Sequence, residues 1–176
     1  MKIEIDFFAY VSSIKLKNEG QIVSYFDPTN KHEIYTKDKR RKTIFDPIRN
    51  KYIELEKEEL VRQLVLQYFL KELKYPMARF GVEKRFKINK LFKRSDILIY
   101  DRDMAPFILV ECKAPNVDVD KKYFGQKALD QIGRYNLNFK VQYLIVTNGM
   151  TTYCSKVDYH ERNFTFIDKI PSWNEF

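Results

Sequence analysis

The chain has 176 residues, 44% hydrophobic and 15% aromatic, with only 5 Gly and 6 Pro. That is enough for one ordered domain with a core, and it excludes a largely disordered chain. Lys and Arg number 32 against 24 Asp and Glu, and the formal net charge of +8 favours a polyanionic partner, nucleic acid first.

Cys112 and Cys154 are the two cysteines, and the lack of a CxxC or a His/Cys cluster argues against a structural zinc site. No apolar run approaches the ~20 residues of a membrane span. The start MKIEID is acidic and lacks the apolar core of a signal peptide. The expected setting is reduced and cytoplasmic, with no membrane partner.

With no repeat and no linker, residues 1–176 read as a single domain. An N-terminal extension covers 1–50, a core 51–150, and C-terminal edge strands 151–176. In the extension, Asp27-Pro28-Thr29-Asn30 signals a turn. Lys37 to Lys42 (KDKRRK) is a dense basic patch. It reads as a solvated loop or, more sharply, as a phosphate-contacting loop through Lys39, Arg40, Arg41 and Lys42. Ile44-Phe45-Asp46-Pro47-Ile48-Arg49 follows.

Residues 54–74 predict the clearest helix, ended by Tyr75-Pro76. Acidic residues crowd its first turns, as the helix dipole favours. Apolar residues from Leu60 to Leu73 cover most of its circumference, so it should be largely buried. One polar stripe remains at i, i+4 spacing: Glu59, Gln63, Gln67 and Lys71. Glu59 sits where such a helix approaches a strand end.

Three strand-like runs follow. Val82 to Ile88 alternates charged and apolar residues, as a half-buried strand does. Asp96 to Tyr100 (DILIY) and Phe107 to Val110 (FILV) are more apolar and read as central. The turn Asp101 to Pro106 between them predicts an antiparallel hairpin. Lys121 to Phe139 predicts a second helix, with Gln131 and Tyr135 four apart on one face. That pair reads as a helix-surface pair, or as side chains reaching a site or a nucleic-acid backbone. Val141 to Thr147 predicts a buried strand and Asn148-Gly149 a hairpin turn. Thr151 to Val157 and Asn163 to Ile167 predict edge strands. Helix, three strands, helix, strand is an α/β layer architecture around one mixed sheet.

Asp96, Glu111 and Lys113 carry the candidate chemistry. Glu111 and Lys113 are two apart on a strand and share a face, with Cys112 facing the other way. If the hairpin turns between Asp103 and Met104, Asp96 lies opposite Glu111. Opposed side chains on paired strands have Cβ atoms ~4.5–5.5 Å apart. Two carboxylates so placed repel, and a divalent cation removes the conflict. Mg²⁺ prefers oxygen ligands, and one or two carboxylates plus waters suffice. Such an ion polarises a phosphoryl oxygen and lowers the pKa of a bound water. Lys113 would orient that water or offset developing negative charge. The opposed carboxylates also predict that Asp96→Asn stabilises the metal-free protein.

At these residues the sequence resembles the N-terminal nuclease domain of type I restriction enzyme R subunits, in the PD-(D/E)XK superfamily. Glu58-Glu59-Leu60-Val61-Arg62-Gln63 resembles an EExVRQ helix start. Arg94-Ser95-Asp96-Ile97 resembles an RxDI strand, and Leu109 to Pro115 (LVECKAP) an IExKAP strand. Gln131-x-x-x-Tyr135 and Thr147-Asn148-Gly149 resemble the family's QxxxY helix and TNG turn. The resemblance spans roughly 44–150 and keeps the motif order. Lys57 stands where the family often has Pro.

The resemblance implies a restriction endonuclease-like αβββαβ core, with a central mixed sheet flanked by helices. It implies a metal-dependent endonuclease hydrolysing DNA, with Mg²⁺ as cofactor and Mn²⁺ able to substitute. Asp96 and Glu111 would be metal ligands, Lys113 the catalytic lysine, and Glu59 an additional helix carboxylate that holds a second metal or positions the first through water. Arg62, Gln63, Gln131 and Tyr135 would take accessory or nucleic-acid-binding roles. The sequence holds no GxxxxGK[ST] motif. It therefore reads as a stand-alone relative, or as one whose motor and specificity subunits are separate chains. The alternative reading is a non-catalytic nucleic-acid or protein-binding module of a defence or repair complex.

Overall fold

A computed structural model describes residues 2–14, 16–17, 25–26, 34–35, 43–88, 91–115, 136 and 139–176. The first pieces of sheet are β1 (Leu16–Lys17), β2 (Tyr25–Phe26) and β3 (Ile34–Tyr35). They are followed by β4 (Thr43–Asp46) and β5 (Lys51–Glu54). β4 pairs antiparallel with β5 and with β1, while β2 and β3 pair with each other. The turn between β4 and β5 closes at Asn50, whose φ of 49° suits an Asn. Ahead of these strands, the 3-10 turn Phe7–Ser13 buries Phe7 against Tyr68, with ring centroids 5.2 Å apart.

Helix α1 spans Lys57–Lys71, with Glu58 and Glu59 in its first turn. Every residue from Glu59 to Leu66 is buried, so the helix is enclosed on all sides, as its apolar circumference predicted. It is shorter than the predicted 54–74 at both ends. Residues 51–54 are claimed by the ladder with β4. At the other end the chain reverses at Lys74 (φ 61°), where Tyr75 donates its backbone N–H to Phe69. Trp173 donates to the Leu73 carbonyl, and the Tyr75 hydroxyl to that of Pro171. The C-terminal segment thus fastens the end of the helix.

Strands β6 (Phe80–Val82), β7 (Arg85–Ile88), β8 (Leu91–Arg94), β9 (Ile97–Tyr100) and β10 (Pro106–Cys112) come next. Then come β11 (Tyr143–Thr147), β12 (Thr152–Asp158) and β13 (Asn163–Ile167). The central sheet has six strands in the order β13-β12-β11-β10-β9-β6. β10 and β11 are parallel, and the other neighbours are antiparallel. The sheet is therefore mixed, as expected. A parallel pair needs a crossover, here the chain between Cys112 and Tyr143. Asn136 and Phe139 are helical within it; most of the predicted helix Lys121–Phe139 lies outside the described residues. The Asn148-Gly149 turn joins β11 to β12, with Gly149 at φ 86° and Asn148 Oδ1 accepting from the amides of Met150 and Thr151.

The predicted strand Val82–Ile88 needs correction. β6 and β9 pair as Phe80↔Ile99 and Val82↔Ile97, and β7 and β8 pair as Arg85↔Arg94 and Ile88↔Leu91. These pairings share one register, so β6–β7 and β8–β9 are the two arms of a long hairpin. The hairpin breaks at Glu83, whose φ is 52°. Only its inner half joins the central sheet; the outer half is a two-stranded ribbon. Alternation reveals a strand's faces but not the point where a ladder leaves its sheet.

The central strands alternate between two cores. Ile97, Ile99, Ile108, Val110, Cys112 and Ile145 pack with α1, and Leu98, Leu109, Val141, Leu144 and Val146 form a second cluster. Phe69 is fully buried on the α1 side, in edge-to-face contact with Tyr68, Tyr75 and Phe80. We expect Phe69→Ala to cost about 3–5 kcal/mol. Urea unfolding measures this, and a loss under about 1 kcal/mol would mean the site collapses around the missing ring. Among the described residues no helix is long and apolar enough to cross a membrane.

Candidate active site

The β9–β10 ladder places Val110 opposite Ile97 and Leu109 opposite Leu98. One step on, Glu111 comes opposite Asp96, the register that the hairpin arithmetic predicted. The ladder reaches it through an irregularity between Pro106 and Ile108 that the arithmetic did not contain. Asp96 is the residue just before β9, at the foot of the ribbon. Its carbonyl accepts from Glu83 N–H at 3.0 Å, and its Oδ2 accepts from Cys112 N–H at 2.7 Å. Lys113 stands two residues beyond Glu111, with Nζ 2.6 Å from Glu111 Oε1. Cys112, between them, is fully buried in the other core.

The electrostatics follow from this crowding. Burial, and after it the charge of Asp96, push the Glu111 carboxyl up to about 7; Lys113 pulls the other way without cancelling the rise. Burial works to depress the Lys113 ammonium, but Glu111 beside it, with Glu58 and Asp96, more than offsets that, and its pKa ends above the ordinary value. The Glu58 carboxyl is also raised, by burial and then by Asp96. Glu58 thus stands close enough to Asp96, Glu111 and Lys113 to share their field. Sequence reasoning passed over it in favour of its neighbour Glu59.

Glu59 is placed differently. Its Oε1 accepts from Arg49 and from Gln63, each at 2.9 Å, and its Oε2 from Arg62. Arg62 sends its other terminal nitrogen to Asp96 Oδ1 at 2.7 Å. Burial opposes the Arg62 charge, but Asp96 and Glu59 drive its pKa above the ordinary arginine value. Arg62 and Gln63 are 3% and 1% exposed, too deep to touch a nucleic acid. Of their two implied roles, the accessory one is compatible with this burial. Four further members, Asp46, Arg49, Glu83 and Arg94, were not singled out as site residues in the sequence. Asp46 is fully buried, accepting from the amides of Ile48 and Arg49 and from the side chains of Arg49 and Gln63. Arg49 also reaches Glu83, which Arg94 pairs at 2.9 Å. The available signal was an acid ending an apolar run, Ile44-Phe45-Asp46, as Glu111 ends the run Phe107 to Val110.

Lys39, Arg40, Arg41, Lys42, Gln131 and Tyr135 lie outside the described residues.

Asp96 and Glu111 fit a hard divalent cation by their chemistry. Both are oxygen donors, Asp96 just before β9 and Glu111 on β10, and burial first and then the charge of Asp96 disfavour an ionised Glu111 that a cation would stabilise. Among the described residues no group of three His, Cys, Asp or Glu side chains could hold an ion by itself. Waters or a substrate oxygen would complete the shell, as Mg²⁺ commonly allows.

The fold and site define a mixed α/β domain with two carboxylates and a lysine gathered at the ends of adjacent central strands. This chain belongs to the type I restriction enzyme R protein N terminus family, which matches residues 57–171. The match starts after Asp46 and Arg49 and runs through β12 and β13. Among solved structures, the chain is similar to a fragment assigned to an HsdR subunit of a type I restriction enzyme from Vibrio vulnificus YJ016. The two share 19% identity with a TM-score of 0.46, over 69% of this chain and 24% of that one. No curated protein matches the sequence.

Proposed function

We propose that the chain is a metal-dependent nuclease domain of restriction endonuclease-like type, hydrolysing DNA phosphodiester bonds in a type I restriction setting. The observation that carries this reading is the convergence of Asp96, Glu111 and Lys113 at the ends of β9 and β10. Membership of the R-subunit family supports it. Asp96 and Glu111 would hold Mg²⁺, or Mn²⁺ in its place. The bound ion would supply a Lewis acid and a lowered pKa for water. Lys113 offsets negative charge on the phosphate as it is attacked. Glu58, whose carboxyl is raised by burial and then by Asp96, would receive or release a proton at the rim. Glu59 serves Arg49 and Arg62 behind Asp96, from both of which it accepts hydrogen bonds. Motor and specificity subunits, from the family context, are the proposed protein partners, and the cytoplasm the proposed location.

The basic ribbon favours DNA as the partner. Between Lys84 and Arg94 the sequence has six Lys or Arg and no acidic residue. A two-stranded ribbon is a shape the major groove admits, and this one leaves the sheet beside Asp96. Lys84 and Arg85 are exposed. Replacing both with Ser should weaken duplex binding at low salt and flatten the slope of log K against log salt by about 1–2. Fluorescence anisotropy across a salt series measures this, and an unchanged slope removes the ribbon from the binding surface.

The deciding experiment offers supercoiled, linear and single-stranded DNA to the purified chain with Mg²⁺, with Mn²⁺ and with chelator. Metal-dependent cleavage is expected. Salt-sensitive binding with no cleavage under any condition would leave a binding module in place of a nuclease.

A further inference from the structure

We propose that Arg62 is a positioning residue that fixes the Asp96 carboxylate, and that the Asp46–Arg49 turn, acting through Glu59, holds Arg62 in place. The inference rests on the nuclease reading for its purpose; its content comes from the geometry. Asp96 is pinned at three points. Glu83 N–H holds its carbonyl, Cys112 N–H its Oδ2, and Arg62 its Oδ1. The first two are backbone contacts that any side chain at those positions could supply. The third depends on one side chain from α1, 34 positions away in sequence.

Arg62 is itself held from behind. One arm of its guanidinium goes to Asp96 and the other to Glu59. Glu59 is in turn fixed by Arg49 and Gln63 at 2.9 Å each, and both of these donate to the fully buried Asp46. The path from the first hairpin to Asp96 is thus a continuous series of charged hydrogen bonds. The last link uses two separate nitrogens of one planar head group, Nη1 to Glu59 and Nη2 to Asp96, a span that the single nitrogen of a lysine does not have.

The cluster is poorly built for stability alone. Among the described residues, Nε of Arg62 and Oε1 of Gln63 are buried without partners. Buried donors and acceptors left bare are costly, and buried ion pairs often stabilise no more than apolar residues of the same volume. A cluster that retains both costs while one of its arms ends on Asp96 is accounted for by what it does to Asp96. Partners that orient a ligating carboxylate typically affect metal affinity by about 10–100-fold.

The test is Mn²⁺ affinity, measured by calorimetry without DNA on the full chain, at a temperature well below every variant's melting point. Arg62→Lys keeps the charge but cannot fork. It should weaken Mn²⁺ binding by about 10–100-fold while the circular dichroism spectrum stays that of wild type. Arg49→Lys, whose side chain is 14% exposed and makes no contact with Asp96, should weaken it several-fold. Arg49→Lys decides the matter if Arg62→Lys does not fold. A purely structural role would lower the melting temperature and leave Mn²⁺ affinity unchanged. Folded variants that bind Mn²⁺ like wild type overturn the inference alone. Wild type that binds no Mn²⁺ overturns the nuclease reading, and this inference with it.

Discussion

Glu111→Gln should abolish metal-dependent cleavage and, at slightly alkaline pH, make the protein more stable. The loss of activity follows from removing one of the two carboxylates that would hold the cation. Lewis-acid stabilisation contributes several kcal/mol, so a drop of at least about 10³-fold is expected. The gain in stability follows from the crowding at the site. In the folded protein the Glu111 carboxyl titrates at about 7, against an ordinary 4.5. A raised carboxylate pKa means that the folded state holds this proton more tightly than the unfolded state does. Stability therefore falls as pH rises from about 4.5 to about 7, and the loss is complete above that. The full effect is at most on the order of 3 kcal/mol at 1.36 kcal/mol per unit. Gln keeps the shape and removes the charge. In chelator at pH 8 the variant should melt several degrees higher, at roughly 2–4 °C per kcal/mol for a chain of this size. Near pH 4.5 the two proteins should melt together. Melting curves at both pH values check this. A variant less stable than wild type at pH 8 would show that the Lys113 pair outweighs the crowding.

Asp96→Asn should abolish cleavage as fully but move stability the other way. Considering only two opposed carboxylates, the substitution relieves repulsion, and stabilisation is the expectation from sequence. The structure reverses that sign. Asp96 Oδ1 accepts from a buried arginine and Oδ2 from the Cys112 amide. An Asn keeps one of these bonds and turns its amide NH₂ toward a donor at the other. Removing one partner of a buried pair typically costs 3–5 kcal/mol. Here Glu59 still pairs Arg62, and relief at Glu111 returns part of the loss. A net cost of about 1–3 kcal/mol remains, seen as a lower melting temperature in chelator. Mn²⁺ should raise the melting point of wild type by mass action and leave that of the Asn variant nearly unchanged. If Asp96→Asn instead melts higher than wild type, as expected of Glu111→Gln, the Arg62 contact contributes little in solution.

The opposite signs of these two substitutions separate what the sequence by itself determined from what only the tertiary structure decided. Alternation along β10 put Glu111 and Lys113 on one face and Cys112 on the other. Symmetry about the observed turn, in which Tyr100 pairs with Pro106, would put Asp96 opposite Val110; the register shift between Pro106 and Ile108 brings it opposite Glu111. The alternation is a short-range consequence of strand geometry that a linear reading captures, while the shift is not. The apolar circumference of α1 likewise foretold its burial. The choice between Glu58 and Glu59 was not accessible in the same way. Adjacent helix positions point about 100° apart, so the one that faces the site depends on how α1 is rotated against the sheet. Packing of Leu64, Val65 and Phe69 sets that rotation. The ribbon's departure at Glu83 depends on a ladder breaking, which alternation does not register. The arginine network was the least legible, because Asp46, Arg62 and Asp96 meet across separations of tens of residues. Ion pairing at such range leaves no periodicity in a sequence. It arises only when the fold has buried the charges and left them one another as partners.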